Sequence, residues 1–506
     1  MFLENPALEV DVAPPLGLTC PAAARGRPLP TLQTPAACNC DRLVGVTCDC
    51  IWGGMNVKRI VRPLSWLALA TAATILIAAC GGSSGGGNQP VTFKGTKKVG
   101  YSAPLTGQSA LYGHAVSQSL KLAADDINAK GGVNGYKIEM DIQDDGTQVA
   151  QAVTNTKAMI LQDNVVALMG SVTSAQCLAE SPIAKQNKII TIDATCNSWQ
   201  LTTQPDIVNP YWVSIVPNTY MEGTAAGRLA AKLGVSKIFI VSPKYLFGIS
   251  ETNAFVAALK KANSSVQIVN SQSTWYVPFP TNPRWDSTIN QIQALKPDLV
   301  YSNIFAADQI NFIKQALAVD PQFFTKYPMT TLVSVDELTT LGSQYPAGMH
   351  AYMRAPFFAL QNNNPRLTDF INRYKARYNG EYPSDWAVMD YDALTIWAQA
   401  ANAAKSFDAD QVVKQISGHS FDSLRGYKIT IRSDELQANV GETTGTTTTS
   451  SSYPFPILKD ITNLKGDDLM MPLQMVNEIK GNQCDAKAGD PTTANFALCP
   501  SWTAAS

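Results

Sequence analysis

Histidine is scarce in this chain of 506 residues, which contains only His114, His350 and His419. The sequence also lacks the HExxH and P-loop patterns that mark zinc peptidases and nucleotide-binding enzymes. The sequence therefore contains few of the side chains that metal-dependent catalysis and Ser/His or Cys/His catalysis need. We predict a protein that is not an enzyme and that needs no metal and no cofactor.

An excess of positive charge is also missing. Lysine and arginine number 39 against 40 aspartates and glutamates, and the net charge is −1. A basic surface that would attract nucleic acid is therefore not expected. The chain is 45% apolar and 16% charged, which is typical of a folded globular protein.

Only one apolar run approaches the length of a membrane span, and it extends from Leu64 to Ala79 behind Lys58, Arg59 and Arg62. It is too short for a span, and small residues and a cysteine follow it at once. The sequence Ile77-Ala78-Ala79-Cys80 resembles the lipobox of bacterial lipoproteins, and residues 81–88 resemble a flexible glycine-rich tether. We expect export, with Cys80 as the lipidated residue; the alternative is a chance apolar run beside a cysteine.

The basic segment makes Met55 the expected working start, so residues 1–54 are predicted to be a disordered upstream extension that is not native. This stretch holds the pairs Cys38-x-Cys40 and Cys48-x-Cys50. Structural zinc sites usually separate paired cysteines by two to four residues, so these pairs do not predict a metal site.

Four further cysteines follow Cys80, which is an even number in an oxidising compartment. Cys484 and Cys499 lie in a polar tail, and we expect them to form a local disulfide. Cys177 and Cys196 are either a second disulfide or two buried free thiols.

Apolar runs alternate with amphipathic helical patterns through most of the chain after Cys80, which predicts parallel sheets built from βαβ units. Ligands of such sheets bind outside the carboxyl ends of the strands. The loops expected to form a site are those after Tyr101, Gly170, Ile192, Val241 and Tyr301.

A family resemblance begins with the stretch 100–107, GYSAPLTG, and with Tyr112-Gly113. The most specific match is 126–135, which reads DINAKGG-x-x-G; weaker matches occur at 144–145, Gly170 with Ser174, Ala194-Thr195, Phe247-Gly248 and 296–298. From about 97 to 435 the chain resembles the solute-binding proteins of branched-chain amino-acid ABC transporters, the Leu/Ile/Val-binding family. The resemblance implies the type I periplasmic binding protein fold: two Rossmann-like α/β lobes with parallel sheets, joined by a multi-strand hinge.

The same resemblance divides the chain. We expect a signal peptide at 55–79, a tether at 80–96, lobe 1 at 97–216, lobe 2 at 217–346, lobe 1 again at 347–421, lobe 2 again at 422–482 and a tail at 483–506. Within the last lobe segment, the low-complexity stretch 442–452 is expected to be an exposed loop.

Family knowledge also implies roles for individual residues. Ser174 and Thr195 would hold a ligand carboxylate by hydroxyl and backbone N–H groups, and Ala194 would contribute backbone. From lobe 1, Tyr112 would cover the ligand; from lobe 2, Phe247 and the 301–305 loop, with Asn303 and Phe305, would close over it. The alternatives are ordinary helix caps for Ser174 and Thr195 and core aromatics for Tyr112 and Phe247.

The partner of a ligand ammonium is left open. Asp193 either pairs with an ammonium or is a solvated or capping carboxylate. In the second lobe, Ser334 stands nearest the family's acidic position, with Asp336 and Glu337 as shifted candidates. The aromatic cluster of Trp275, Tyr276, Phe279 and Trp285 indicates either an aromatic ligand or loop packing between the lobes.

These features predict an exported, lipid-anchored, monomeric solute-binding subunit that captures an amino acid, amide or other small carboxylate and presents it to a membrane permease. A ligand-sensing module on the same fold is the first alternative. The second is a hydrolase with Cys196 as nucleophile, although no base motif flanks that cysteine.

The lipid anchor can be tested by replacing its acceptor. Cys80→Ala removes the thiol, so we expect unprocessed or released protein in cell fractionation and loss of lipid in mass spectrometry of the N-terminal peptide. Ser84→Ala, in the tether, is the control and should leave fractionation unchanged. Mature-length Cys80→Ala protein that still sediments with membranes would refute the anchor.

Overall fold

The computed structural model describes residues 91–280 and 284–483. The expected signal segment, Cys80, the tether and the Cys484–Cys499 pair lie outside the described residues.

Strands and helices alternate along most of this region. The strands are β1 (Thr96–Ala103), β2 (Lys137–Asp144), β3 (Thr191–Asp193), β4 (Trp212–Ser214), β5 (Lys237–Pro243), β6 (Gln267–Ile268), β7 (Tyr276–Val277), β8 (Leu299–Ser302), β9 (Met329–Leu332), β10 (His350–Met353), β11 (Ser420–Asp422), β12 (Lys428–Thr430), β13 (Glu442–Thr448) and β14 (Ile457–Leu464). The helices are α1 (Ala110–Ala129), α2 (Val149–Leu161), α3 (Ser174–Gln186), α4 (Gln200–Thr203), α5 (Thr219–Lys232), α6 (Leu246–Ala262), α7 (Asp286–Leu295), α8 (Ala306–Val319), α9 (Phe323–Lys326), α10 (Val335–Leu341), α11 (Phe357–Leu360), α12 (Pro365–Arg377), α13 (Asp385–Ala404), α14 (Ala409–Lys414) and α15 (Leu473–Lys480).

The sheet of the first lobe is parallel. β1 pairs with β2, and β3 pairs with β4. Leu168 joins the two pairs through parallel bridges to Gly100 and Thr191. The segment before the loop expected after Gly170 thus contributes one bridging residue between β1 and β3.

The sheet of the second lobe has the strand order β14-β13-β10-β9-β8-β5-β6, with β7 paired to β5. Its strands from β5 to β10 pair in parallel, whereas β13 runs antiparallel to both β10 and β14. The predicted α/β fold with mainly parallel sheets is confirmed.

The expectation of an exposed loop at 442–452 is wrong for its first seven residues, which form β13. Threonine is β-branched and favours strands, so a threonine run is a good strand in a sheet that can satisfy its hydroxyls. Thr443 Oγ1 donates to Asn463 Oδ1 at 2.8 Å, and Thr447 Oγ1 donates to the Pro346 carbonyl at 2.7 Å. Low sequence complexity concealed a buried strand.

The chain crosses between the lobes at three places within the described residues. The first crossing comes after β4 of the first sheet and before β5 of the second. The second comes after β10, which still belongs to the second sheet, and therefore later than the predicted residue 347. The third follows residue 438 rather than residue 422, because 436–438 still hydrogen-bond to Ser214 of the first lobe.

In the second lobe α5 and α6 pack unusually closely. A Cβ at Gly223 would lie 2.4 Å from the Glu251 carbonyl oxygen, and one at Gly227 would lie 2.7 Å from the Phe255 carbonyl oxygen. Two glycines four residues apart on α5 therefore let its backbone touch α6. This contact fixes the position of the first turns of both helices, which border the site described below.

Gly223→Ala tests this close approach. Alanine raises helix propensity, but its methyl group would overlap the α6 backbone, so we expect a net loss of about 1–3 kcal/mol of unfolding free energy. Urea denaturation measures it. Lys232→Ala, on the exposed last turn of α5, should be nearly neutral; equal stability of Gly223→Ala and the parent protein would contradict the packing.

Candidate functional site

The first wall of the site is the N-terminus of α3. Thr173 caps this helix, with a reciprocal bond between its backbone N–H and the Gln176 side chain at 3.1 Å. Ser174 follows as the first helical residue; its Oγ is buried and has no hydrogen-bond partner. The helix therefore presents a free hydroxyl at the end where its N–H groups and dipole favour an anion.

Asp193 lies beneath this wall and organises the loop after β3. Its Oδ1 accepts from the Thr195 N–H at 3.0 Å and the Cys196 N–H at 2.9 Å, and its Oδ2 accepts from Trp212 Nε1 at 3.2 Å. Burial raises the pKa of Asp193 to about 7, while these N–H bonds act in the opposite direction. Asp193 is therefore a buried capping carboxylate and not a solvated one.

A disulfide joins the two loops of the first lobe. Cys177, in the first turn of α3, is bonded to Cys196, and their Cα atoms are 6.2 Å apart. Thr195 precedes Cys196, and its Oγ1 donates to the Ser171 carbonyl. Of the two open alternatives for these cysteines, the structure has the bonded one, and the bond holds Ser174 and Thr195 in a fixed relation.

The second lobe contributes aromatic side chains from the starts of two helices. Phe247 in α6 and Phe305 before α8 meet edge to face with ring centroids 5.5 Å apart. Tyr245 lies beside them and stacks on Phe279 at 4.1 Å. Asn303 is buried behind this wall, where its Nδ2 donates to the Gly248 carbonyl at 3.4 Å.

Tyr112 of α1 crosses to the second lobe. Its hydroxyl bonds to Glu337 Oε1 and accepts from the Ala306 N–H at 3.1 Å, and that N–H also reaches Glu337 at 2.8 Å. Ala306 has a φ of 51°, a left-handed conformation that costs a non-glycine residue energy, and these bonds hold it. Glu337 further caps α10 by accepting from the Ser334 N–H at 3.0 Å.

Sequence reasoning missed two residues of the site, Arg354 and Trp386. Arg354 follows β10, donates from Nε and Nη2 to Glu222, and lies 4.4 Å from the centre of the Trp386 ring. Its Nη1 is buried without a partner. The available signal was a charged residue directly after the apolar residues 351–353, because a charge at a buried position needs a partner or a ligand.

More buried acids than bases surround Arg354. Glu222 is paired with it, and Glu251 and Glu442 are close enough to influence it. Burial raises the pKa of Glu251 and the pKa of Glu442 well above the usual range of a glutamate. The Glu251 carboxyl accepts a hydrogen bond from the Tyr352 hydroxyl at 2.6 Å. This bond partly replaces the hydration that Glu251 loses through burial.

These side chains surround a cavity between the lobes, and five predicted residues line it: Tyr112, Ser174, Thr195, Phe247 and Phe305. The other lining residues are Val172, Asn197, Tyr245, Leu332, Arg354 and Trp386. Its volume is about 10 Å³, against about 300–1,000 Å³ for ligand pockets. A solute can therefore enter only if the lobes separate.

The remaining predicted residues do not line this cavity. Asp193, Ala194 and Asn303 are buried behind its walls, and Ser334, Asp336 and Glu337 lie beyond Tyr112. In the aromatic cluster near residue 280, Trp285 packs on Phe312 in the core of the second lobe. Loop and core packing therefore account for Trp285.

Residues 96–440 match the model of a family described as periplasmic binding protein. This match covers more than half of the chain, so the chain belongs to that family. The family resemblance inferred from the sequence is confirmed.

Among curated relatives, "Leu/Ile/Val-binding protein homolog 7" of Brucella abortus is 25% identical over 336 residues, which are 63% of this chain and 80% of that protein. "Leu/Ile/Val-binding protein BraC3" of Rhizobium johnstonii is 27% identical over 208 residues, which are 40% of this chain and 53% of that protein. These relatives are binding proteins and not enzymes, in agreement with the prediction.

Solved structures share the fold. A solute-binding protein of an ABC transporter from Rhodopseudomonas palustris BisB5, in complex with 3,4-dihydroxybenzoic acid, has a TM-score of 0.64 at 22% identity and covers 73% of this chain and 98% of its own. The leucine-binding protein LivK of Thermotoga maritima has a TM-score of 0.62 at 19% identity and covers 74% and 100%. Within residues 91–280 and 284–483, none of the helices combines the length and the apolar character that crossing a membrane requires.

Asp193 predicts a pH dependence of stability. Its folded pKa of about 7 exceeds the ordinary value of 3.8, so the folded state retains a proton that the unfolded state releases. This contribution therefore falls as the pH rises from about 4 to 7, by up to about 1.4 kcal/mol per pH unit.

Asp193→Asn removes the titration while its amide oxygen can still accept the two N–H bonds. We expect urea denaturation between pH 4 and 7 to show a smaller loss of stability for the variant than for the parent. Asp410→Asn, at a half-buried acid whose pKa is lowered by hydrogen bonds from Tyr211 and Lys188, is the control. Parallel pH profiles for Asp193→Asn and the parent protein would contradict the assignment.

Proposed function

We propose that this protein is the lipid-anchored solute-binding subunit of an ABC importer, which encloses a small carboxylate between its lobes. The observation that carries the proposal is the buried, unpartnered Ser174 Oγ at the N-terminus of α3, facing the cavity between the lobes. A carboxylate is the common small-molecule group that suits a free hydroxyl and a helix N-terminus together.

Ser174 is proposed to receive the carboxylate through Oγ. Thr195 lines the cavity, but its N–H is bonded to Asp193 and its Oγ1 donates to the Ser171 carbonyl, so its proposed role is to hold the loop beside Ser174 and not to donate to the carboxylate. Tyr112 closes over the solute from the first lobe, and Phe247 and Phe305 close from the second. Closure is a hinge movement about the crossing segments, and it makes and breaks no covalent bond.

The relatives support a carboxylate without naming one ligand. The Rhodopseudomonas palustris structure contains 3,4-dihydroxybenzoic acid, and the Thermotoga maritima protein is a leucine-binding protein. These two compounds share a carboxylate and differ in the rest of the molecule. Amino acids and benzoate-type acids are therefore the two classes to compare.

Attachment and delivery complete the proposal. The lipobox-like sequence before Cys80 supports a lipid anchor on the outer side of a bacterial membrane. The family supports a membrane permease as the partner that receives the solute. We further propose that the protein acts as a monomer.

Ser174→Ala tests the proposed site. A hydrogen bond from a hydroxyl to a charged group contributes about 1.5–3 kcal/mol, so the variant should bind about ten- to a hundredfold more weakly. A thermal-shift screen of amino acids, aliphatic acids and benzoates selects the solute, and titration calorimetry gives the affinities.

Ser181→Ala is a matched control, because Ser181 Oγ is also buried and unpartnered on α3 but does not line the cavity. It should leave the affinity unchanged. If no carboxylate stabilises the protein, the proposed function fails; if Ser174→Ala binds as tightly as Ser181→Ala, the proposed anchor fails.

A further inference from the structure

We propose that the solute is an aromatic carboxylate without an ammonium group, and that Arg354 Nη1 donates a hydrogen bond to its carboxylate. This inference rests on the proposed function and names the class of solute that the same cavity would take.

The donors of Arg354 are only partly used. Its Nε and Nη2 are directed to Glu222, and the side chains of both residues are at most 4% exposed. Its Nη1 is the remaining nitrogen; it is buried and has no partner, while the residue lines the cavity. A buried guanidinium N–H left unpaired is costly, so a ligand oxygen is the acceptor that this geometry lacks.

The free hydrogen-bond donors, rather than a net positive charge, suit an anion shared between the two lobes. Glu222 already neutralises the charge of Arg354. Nη1 therefore contributes a directed hydrogen bond rather than an uncompensated positive charge. The opposite wall supplies Ser174 Oγ and the positive end of the 13-residue helix α3. A carboxylate has two oxygens, and one donor from each lobe would therefore bind it only in the closed form.

An ammonium group finds no charged partner in this cavity. None of the described residues that line it is an aspartate or glutamate. Glu337 is the nearest acidic candidate from the sequence, but the Tyr112 hydroxyl and the N–H groups of Ala306 and Ser334 already bond to it. A buried ammonium facing only neutral acceptors is unfavourable, so the cavity selects against α-amino acids.

Five of the eleven residues that line the cavity are aromatic. Tyr112 and Trp386 come from the first lobe with ring centroids 4.4 Å apart. Tyr245, Phe247 and Phe305 face them from the second lobe. Aromatic rings pack well against one another in stacked and edge-to-face geometries, so a ring that enters as the lobes part can be held on both sides when they close.

Two pairs of probes test the class of solute by titration calorimetry. L-Phenylalanine and 3-phenylpropanoate differ in the ammonium group, and we expect the second to bind at least tenfold more tightly. Benzoate and cyclohexanecarboxylate differ in aromaticity, and we expect benzoate to bind several-fold more tightly.

Arg354→Lys tests the anchor, because lysine keeps the charge beside Glu222 but loses the planar set of donors. The tighter aromatic acid should then bind at least tenfold more weakly, whereas Arg373→Lys, at an ion pair with Asp126 outside the cavity, should bind as the parent does. If Arg354→Lys does not fold, the double variant Arg354→Gln with Glu222→Gln removes both charges and should show the same loss.

The outcomes separate the two claims. Tighter binding of L-phenylalanine than of 3-phenylpropanoate, or of cyclohexanecarboxylate than of benzoate, overturns the inference and leaves the proposed function standing. Unchanged affinity in Arg354→Lys or in the double variant overturns the role of Arg354. If none of the four probes binds, the inference fails, and the wider carboxylate screen decides the proposed function.

Discussion

The buried ion pair between Glu222 and Arg354 connects the parts on which the cavity depends. Glu222 lies in the first turn of α5, just after the first crossing, and Arg354 lies directly before the second. Asn197 of the first lobe donates to the same glutamate. Removing one partner of a buried pair costs about 3–5 kcal/mol, because the other charge is left without compensation. The pair thus fixes the orientation of the guanidinium, and through it the stacking on Trp386.

A second set of bonds holds the lobes together around Asp385 at the start of α13. Its two oxygens accept from the N–H groups of Val335 and Ala355, each at 2.9 Å. Burial raises the pKa of this aspartate to about 6, although the N–H bonds oppose the change. These two bonds, and the bond between Tyr112 and Glu337, lie around a very small cavity. Closure therefore rests on a few directional bonds and not only on apolar contact.

The fold could be predicted from the alternation of apolar runs and helical patterns, because each βαβ unit is encoded locally. The crossings were harder to place, since they depend on strand pairing between distant segments. The second crossing was placed before His350, which put Arg354 a few residues inside the wrong lobe. The composition of the threonine-rich segment 442–448 does not reveal a strand. The segment is a strand because it pairs with β14, and that pairing is not visible in its own sequence.

The same distinction applies to the site. Ser174, Thr195 and Phe247 stand at strand ends or helix starts, where a sequence pattern indicates a position at the sheet edge. Trp386 also stands at a helix start, two residues after the N-cap Ser384 of α13, but no strand end or family match points to it, and it reaches the cavity through packing. Asp193 stands at a strand end but turns inward, because two N–H groups of its own loop need its carboxylate.

The small volume of the cavity has a kinetic consequence. An enclosed solute has no path to water while the bonds across the cleft are intact, so its residence time is set by the opening of the lobes rather than by its own contacts alone. Mutations at Glu337 or Asp385, which do not line the cavity, would then shorten the residence time without touching the solute. Under the proposed function, a receiving transporter would not have to compete for the solute, because it would only have to favour the open form.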